Sequence, residues 1–465
     1  MWTLEADPAL RSELVCVTLL DSPPDEARLR ANVGAAIADI PRLRQRVLAP
    51  PLRIAPPEWA PSVVELDYHV QKVTLPAPGG LRDLLDLAAA IGATPFDPER
   101  PLWQFFVVQG FHGDGGEAEA ALIEKLHHSV TDGVRGLRLS LRLVDTRREP
   151  EADPAPADER VTVADDAVPE RSRVEVTRDA VLSSVGRNLR LAGAVAGAGV
   201  ALVRHPSRLP GTVGAGIEVG GSIRRQLLVT GSARSPVTTA RSAARQFEVL
   251  TVPFAPAKEA AAILGGSLND LYVTAVARAL GRYHEERADD EHGDPVDELR
   301  MAMPVNLVQG EDGAGNHFAP ARVLVPIRPV DPAILFARVH RALAPLRGES
   351  ALQLTDGLAG IAGVLPAAVL IAAFRSQART IDFSASNLRG SPVPLYVAGS
   401  RIVANFAFGP RSGSPLNVTL MSYAGELQIG CNVDPAAIDD PGQFVALLAE
   451  SFDRLLAFAS PAPTA

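Results

Sequence analysis

The chemistry in this sequence concentrates in one short segment, Glu124-Lys-Leu-His127-His128-Ser-Val-Thr-Asp132-Gly133, which sets two imidazoles side by side. A strand-like run, Ala121 to Leu126, leads into it and a helix-like run, Val134 to Leu143, leads out, so the pair is expected on a loop. A loop anchored at a strand end can hold an imidazole rigidly and leave it open to a pocket. With an ordinary pKa near 6.5, histidine can take a hydroxyl proton at neutral pH, a step that contributes roughly 10²- to 10⁴-fold to rate. Adjacent side chains diverge, so one of the two histidines is the expected base. Asp132 can turn back to fix the loop, and Gly133 permits backbone angles that other residues resist. On residue types alone, a histidine pair that only satisfies local hydrogen bonds is the commoner case.

The elements that would position this loop read as a mixed α/β pattern in two parts. Residues 1–148 alternate strand-like runs (Glu13 to Leu20, Trp103 to Gln109) with helix-like ones (Glu26 to Ile37, Leu81 to Ile91). From about Arg148 to Arg173 the chain turns to Pro, Ala, Asp, Glu and Arg, a composition that buries too little apolar surface to order itself, so 149–239 is expected to be a linker. Within it, residues 177–204 are helix-compatible and include an apolar run, Leu191 to Val203, flanked by Arg187, Arg190 and Arg204. That run is shorter than the ~20 residues a membrane span needs, so it reads as a packed or interfacial helix. Residues 240–465 form the second part. Its expected strands are Phe247 to Pro253, Leu299 to Pro304, Arg322 to Ile327, Val403 to Phe408, Leu416 to Tyr423 and Glu426 to Val433; its expected helices are Ser267 to Tyr283, Pro332 to Ala344 and Pro441 to Phe458.

Composition narrows the classes. Hydrophobic residues make up 47% of the 465 and charged ones 21%, within the globular range. A net charge of -9 without a segregated basic face argues against nucleic acid as a partner. Cys16 and Cys431 stand alone at no metal or redox spacing, and the histidine loop has no third ligand at a zinc spacing, so no metal is expected. Met1 to Leu20 carries charges before any apolar run, which is the wrong order for a secretory signal, and a reducing cytoplasm is the expected location.

Landmarks recur along nearly the whole chain. Before the histidines come Pro41-Arg-Leu-Arg, Asp67-Tyr-His69-Val and Asp97-x-x-Arg100-Pro101-Leu102-Trp103; after them come Ser267-Leu-Asn269-Asp270, Met303-Pro304-Val305-Asn306 and Gly315-Asn316-His317. Ser386-Asn387-Leu-Arg-Gly390-Ser-Pro392, Pro394-Leu395-Tyr396, Ser422-Tyr423, Gly430 and Asp440 complete the series. The histidine segment resembles the HHxxxDG signature shared by condensation domains and wax ester synthase/diacylglycerol acyltransferases, and the other landmarks resemble the latter family. Met1 to Asp7 departs from the Pro-Leu-Ser-x-Asp-like start common there, as do Gln104 and Asn306 from the acidic residue and serine expected at those places.

The resemblance implies an α/β protein of two chloramphenicol acetyltransferase-like mixed-sheet domains with the active-site channel between them. It further implies transfer of a fatty acyl group from acyl-CoA to a diacylglycerol or long-chain alcohol. His128 would be the base, His127 its neighbour in the motif, Asp132 mainly structural, Gly133 part of the loop, and Asn269 near the channel, where it or an amide near Gly133 would stabilise the oxyanion. Acyl-CoA enters as co-substrate, with no resident cofactor, and arginines 135 to 142 and Arg224-Arg225 are candidates for its phosphates. A hydroxyl-bearing lipid is the expected partner, with peripheral contact to the inner membrane or lipid droplets. The competing readings are a condensation-type enzyme fed by a carrier protein, a non-catalytic lipid-binding homologue and an enzyme acting on a non-lipid alcohol. Chain length, acceptor choice and oligomeric state are not written in the sequence.

Overall fold

A computed structural model describes residues 2–49, 57–130, 142–149, 160–161, 178, 235–287, 296–306, 318–328, 330–346 and 367–459. The expected helix at 134–143 and the helix-compatible stretch at 177–204 therefore fall almost wholly outside the described residues, as do Asp132 and Gly133.

In chain order the strands are β1 Glu13–Leu20, β2 Gln45–Leu48, β3 Glu58–Pro61, β4 Val64–Glu65, β5 Val70–Thr74, β6 Trp103–Gln109, β7 Ala120–His127, β8 Val144–Asp145, β9 Arg160–Val161, β10 Gln246–Pro253, β11 Glu298–Asn306, β12 Phe318–Pro326, β13 Phe383–Arg389, β14 Tyr396–Val397, β15 Ser400–Phe408, β16 Leu416–Tyr423 and β17 Glu426–Val433. The α-helices are α1 Glu26–Asp39, α2 Leu66–His69, α3 Leu81–Ala93, α4 Phe254–Ile263, α5 Leu268–Glu285, α6 Pro332–Leu343, α7 Ala367–Ala378 and α8 Pro441–Leu456. Two mixed sheets carry the architecture. One runs β5-β6-β7-β1-β15-β14-β8 and the other β10-β17-β16-β13-β11-β12. Parallel pairs (β5 with β6, β13 with β11 and with β16) sit beside antiparallel ones in both.

Helical spacing in the sequence explains how the sheets are covered. In α1, Leu29, Val33, Ala36 and Ile37 form one buried stripe, and Asp25 caps the start by accepting the Arg28 N–H at 2.8 Å. That stripe joins Leu20, Trp103, Phe105, Leu122 and Leu126 on one face of the first sheet. On the other face α3 lays Leu84, Leu85 and Ala88 against Val15, Val17, Phe106 and Ile123. In α8, Phe444, Leu447, Leu448, Ser451, Phe452 and Leu455 repeat at helical spacing and pack with α5 and α6 on the second sheet, while Asp440 accepts the Gln443 N–H at 2.8 Å.

The sequence reading places Val403 to Phe408 with the other C-terminal strands, but the fold differs. This strand, β15, leaves the second half of the chain and pairs antiparallel with β1 inside the first sheet, in register Val15 with Phe408 through Thr18 with Asn405. Its burial alternates from Ser400 to Phe406, as any sheet with unlike faces would demand, so nothing in its own pattern names the partner. The crossing fastens the two sheets together. Phe247 of β10 stacks on Phe408 with centroids 4.0 Å apart, and Asn432 of β17 donates from Nδ2 to the carbonyl of Gly409 at 2.9 Å.

Candidate active site

The two histidines do not share a loop. His127 is the last residue of β7, paired across the ladder with Glu13, and only His128 begins the turn that follows. Strand alternation sends neighbouring side chains to opposite faces, which separates the rings as expected. His127 is fully buried, and both ring nitrogens are engaged. Its Nδ1 accepts the backbone N–H of Ser129 at 3.1 Å and lies 2.6 Å from the Ser129 hydroxyl. Because a backbone N–H can only donate, Nδ1 carries no proton, and the proton on Nε2 points to the Glu5 carboxylate at 3.0 Å. The rings of Trp2 and Phe96 stand edge-on to it.

His128 is partly exposed, and its backbone N–H donates to the Ser12 carbonyl at 2.9 Å. Burial lowers its pKa below the ordinary value, and the neighbouring His127 adds to that, so the ring is held neutral at physiological pH. A neutral imidazole can serve as a proton acceptor. Behind it the strand is charged: Lys125 is fully buried, donates to the Thr94 carbonyl and hydroxyl at 2.8 Å each, and burial pushes it down to about 8.

Asn269 lies in the first turn of α5. The capping role that asparagine fills so well goes instead to Ser267, which forms a reciprocal box with Asp270. The Asn269 Oδ1 accepts from Asn387 Nδ2 at 3.1 Å, so two landmarks 118 residues apart in sequence meet across α5 and β13. No hydrogen bond joins Asn269 to either histidine. His317 and Arg224-Arg225 lie outside the described residues, as do arginines 135 and 138; Arg142, at the end of that stretch, is paired with Asp39.

Other landmarks are held inside the fold. Trp103 is fully buried, donates from Nε1 to the Leu43 carbonyl at 2.8 Å, and stacks on His69 at 4.2 Å. His69 donates from Nδ1 to the Trp103 carbonyl at 2.7 Å and is itself fully buried. A side chain at Gly390 would bring Cβ within 2.2 Å of the Ser422 carbonyl oxygen, which explains glycine there. Among the described residues no three His, Cys, Asp or Glu side chains gather as a metal-binding set, and no single helix is long and apolar enough to cross a membrane.

The sequence reading missed Glu5, Ser12 and Ser129. Ser129 stands two residues from His127 and could have been suspected, but the Glu5 contact spans 122 residues and has no local signal.

Comparison with known proteins shows the family and the fold. The model of the wax ester synthase/diacylglycerol acyltransferase catalytic domain matches residues 6–272, and that of the family's C-terminal domain matches residues 314–456. Two Mycobacterium tuberculosis H37Rv proteins, both provisionally named diacylglycerol O-acyltransferases, are similar over most of their length. Rv2484c is 32% identical across 99% of this chain and 91% of its own, and Rv3087 is 28% identical across 90% and 86%. Among solved structures, the wax ester synthase/diacylglycerol acyltransferase of Marinobacter aquaeolei VT8 superposes with a TM-score of 0.63 at 17% identity, over 97% of this chain and 96% of that one. The first condensation domain of the calcium-dependent antibiotic synthetase gives 0.56 at 17% identity, over 100% and 95%. These two likenesses show a shared fold of two mixed-sheet domains. With the catalytic-domain match spanning more than half of its residues and a relative 32% identical along almost all of it, this chain belongs to the wax ester synthase/diacylglycerol acyltransferase family.

Proposed function

We propose that this acyltransferase moves a fatty acyl group from coenzyme A to the hydroxyl of a diacylglycerol or long-chain alcohol, with His128 as general base. The observation that carries this reading is the unequal state of the two histidines. His127 has both nitrogens engaged inside the protein, while His128 is partly exposed and kept neutral by its surroundings.

The acyl thioester and the alcohol meet at His128 in a channel between the two domains. A ring nitrogen of His128 takes the hydroxyl proton as the alcohol oxygen bonds to the thioester carbonyl carbon. The carbonyl becomes a tetrahedral oxyanion, for which Asn269 or a backbone amide near Gly133 is the donor in this reading. The C–S bond then breaks, and the coenzyme A thiolate recovers the proton from His128. In this reading Asp132 has a structural part and takes no proton. Every atom and charge is accounted for by the two substrates and one imidazole, so the chemistry calls for no resident cofactor. A lipid acceptor brings the protein to a membrane or droplet surface without a span.

The test is release of free thiol from palmitoyl-coenzyme A in the presence of hexadecanol or a diacylglycerol, comparing the natural protein with His128→Ala. Ester and thiol should both fall by roughly 10²- to 10⁴-fold in the variant. Because the base acts unprotonated and its pKa is depressed, the acid limb of kcat/KM should lie below pH 6.5. No thiol release from the natural protein with either acceptor would sink the acyl-CoA assignment and favour a carrier-linked donor or a binding role.

A further inference from the structure

The chain's N-terminal segment reaches the histidines. Trp2–Ala6 forms a 3-10 turn, and its Glu5 carboxylate, only 14% exposed, accepts two hydrogen bonds on the same oxygen: the Ser12 backbone N–H at 2.8 Å and His127 Nε2–H at 3.0 Å. Ser12 in turn offers its carbonyl to the backbone N–H of His128 at 2.9 Å. One carboxylate and one serine backbone thus grip both histidines, one by its ring and the other by its main chain. The segment is itself tethered. Asp7 accepts from Arg375 Nε of α7 at 2.7 Å, and Arg11 donates to the Ala93 carbonyl at the end of α3 at 3.1 Å. The Trp2 ring stands edge-on to His127 with centroids 5.7 Å apart.

We propose that Glu5 is a positioning residue for the acyl-transfer reaction, fixing the Nε2–H tautomer and ring orientation of His127 and, through Ser12, the backbone on which His128 is mounted. This rests on the reading of His128 as base. The chemical logic is that a ring with two acceptable tautomers holds one of them only while each nitrogen keeps a partner of the right kind. Ser129 supplies the donors on the Nδ1 side, and Glu5 supplies the acceptor on the Nε2 side. Without Glu5, Nε2–H and the Ser12 N–H are left unpaired in a buried place, a condition that the loop relieves by moving. A shift of about 1 Å in a catalytic group can cost up to about 10²-fold in rate.

The experiment compares the natural protein with Glu5→Ala and Glu5→Gln, measuring kcat and KM for ester formation and, independently, the ring ¹⁵N shifts of His127 that report its tautomer. Glu5→Ala should lower kcat by roughly 10- to 100-fold with KM within about 2-fold, and should mix the His127 tautomers. Glu5→Gln keeps an amide oxygen able to accept both N–H groups, so it should recover kcat to within about 3-fold and keep the natural tautomer. Full kcat in Glu5→Ala, a loss confined to KM, or a Glu5→Gln as impaired as Glu5→Ala would overturn the proposal. If the natural protein forms no ester, the failure belongs to the acyl-CoA reading; the tautomer comparison then decides alone, and an unchanged His127 signature in Glu5→Ala overturns the positioning role.

Discussion

Strand β15 of the first sheet lies against β17 of the second, and Gly430→Ala probes that contact. A Cβ at residue 430 would stand 2.3 Å from the carbonyl oxygen of Ala407 and 3.1 Å from its carbon. Real Cβ contacts do not fall below 3.0 Å, so relief requires at least the difference, 0.7 Å (3.0 less 2.3). Neither backbone can give that locally. Residue 430 pairs with Val249 on one side and Thr419 on the other, and Ala407 pairs with Cys16. The methyl group must spread the sheets or stretch ladder hydrogen bonds; overpacking of this kind costs about 1–3 kcal/mol, with roughly 1 kcal/mol for each bond weakened. We expect about 3 kcal/mol of destabilisation. Denaturant unfolding should be followed by circular dichroism and by tryptophan fluorescence, because all three tryptophans, Trp2, Trp59 and Trp103, lie in the N-terminal part and report the sheet that β15 completes. Both probes should move to lower denaturant together. Gly442→Ala is the control, since its Cβ would meet only the Asp440 Oδ1, at an ordinary 3.5 Å. A Gly430→Ala protein within about 0.5 kcal/mol of the natural one would refute the reasoning, because it would mean that the crossing yields without cost.

Two further expectations follow from buried groups. Trp103→Phe strands the Leu43 carbonyl and leaves a void, so it should cost about 2–4 kcal/mol while kcat per folded molecule stays unchanged; a kcat loss at full stability would instead make Trp103 a substrate contact. Burial lowers His69 to about 4 from 6.5, so as pH falls through that window the unfolded chain binds the proton that the folded one refuses, and stability is lost by roughly 3 kcal/mol. Urea midpoints at pH 7 and pH 4.5 should converge in His69→Gln relative to the natural protein, and an unaltered pH dependence in that variant would remove His69 as the cause.

Much was legible before any coordinates. Strand and helix periods at Glu13–Leu20 and Pro441–Leu456 announce their elements because burial concentrated on one face leaves a period in the residues themselves. Asp331 likewise announces a helix start, since a cap acts on the amides two or three residues ahead. The paired histidines and the run of landmarks identified the family, and the departure of Met1 to Asp7 from its usual start was visible too.

What tertiary structure alone decided is everything that joins distant segments. The sheet that β15 enters, the Asn269–Asn387 pair, the reason for glycine at 390 and 430, and the grip of Glu5 on His127 each depend on residues that no local pattern relates. The resemblance of the motif implied His128 as the base, but the contacts that set the two rings apart were not written in it, where both are the same residue on the same segment. Their difference arises because β7 ends at His127, so alternation turns one ring into the protein among Glu5, Trp2 and Phe96 and leaves the next on the turn. A sequence records the period of a surface, but the partner that covers it is chosen only when the whole chain has packed.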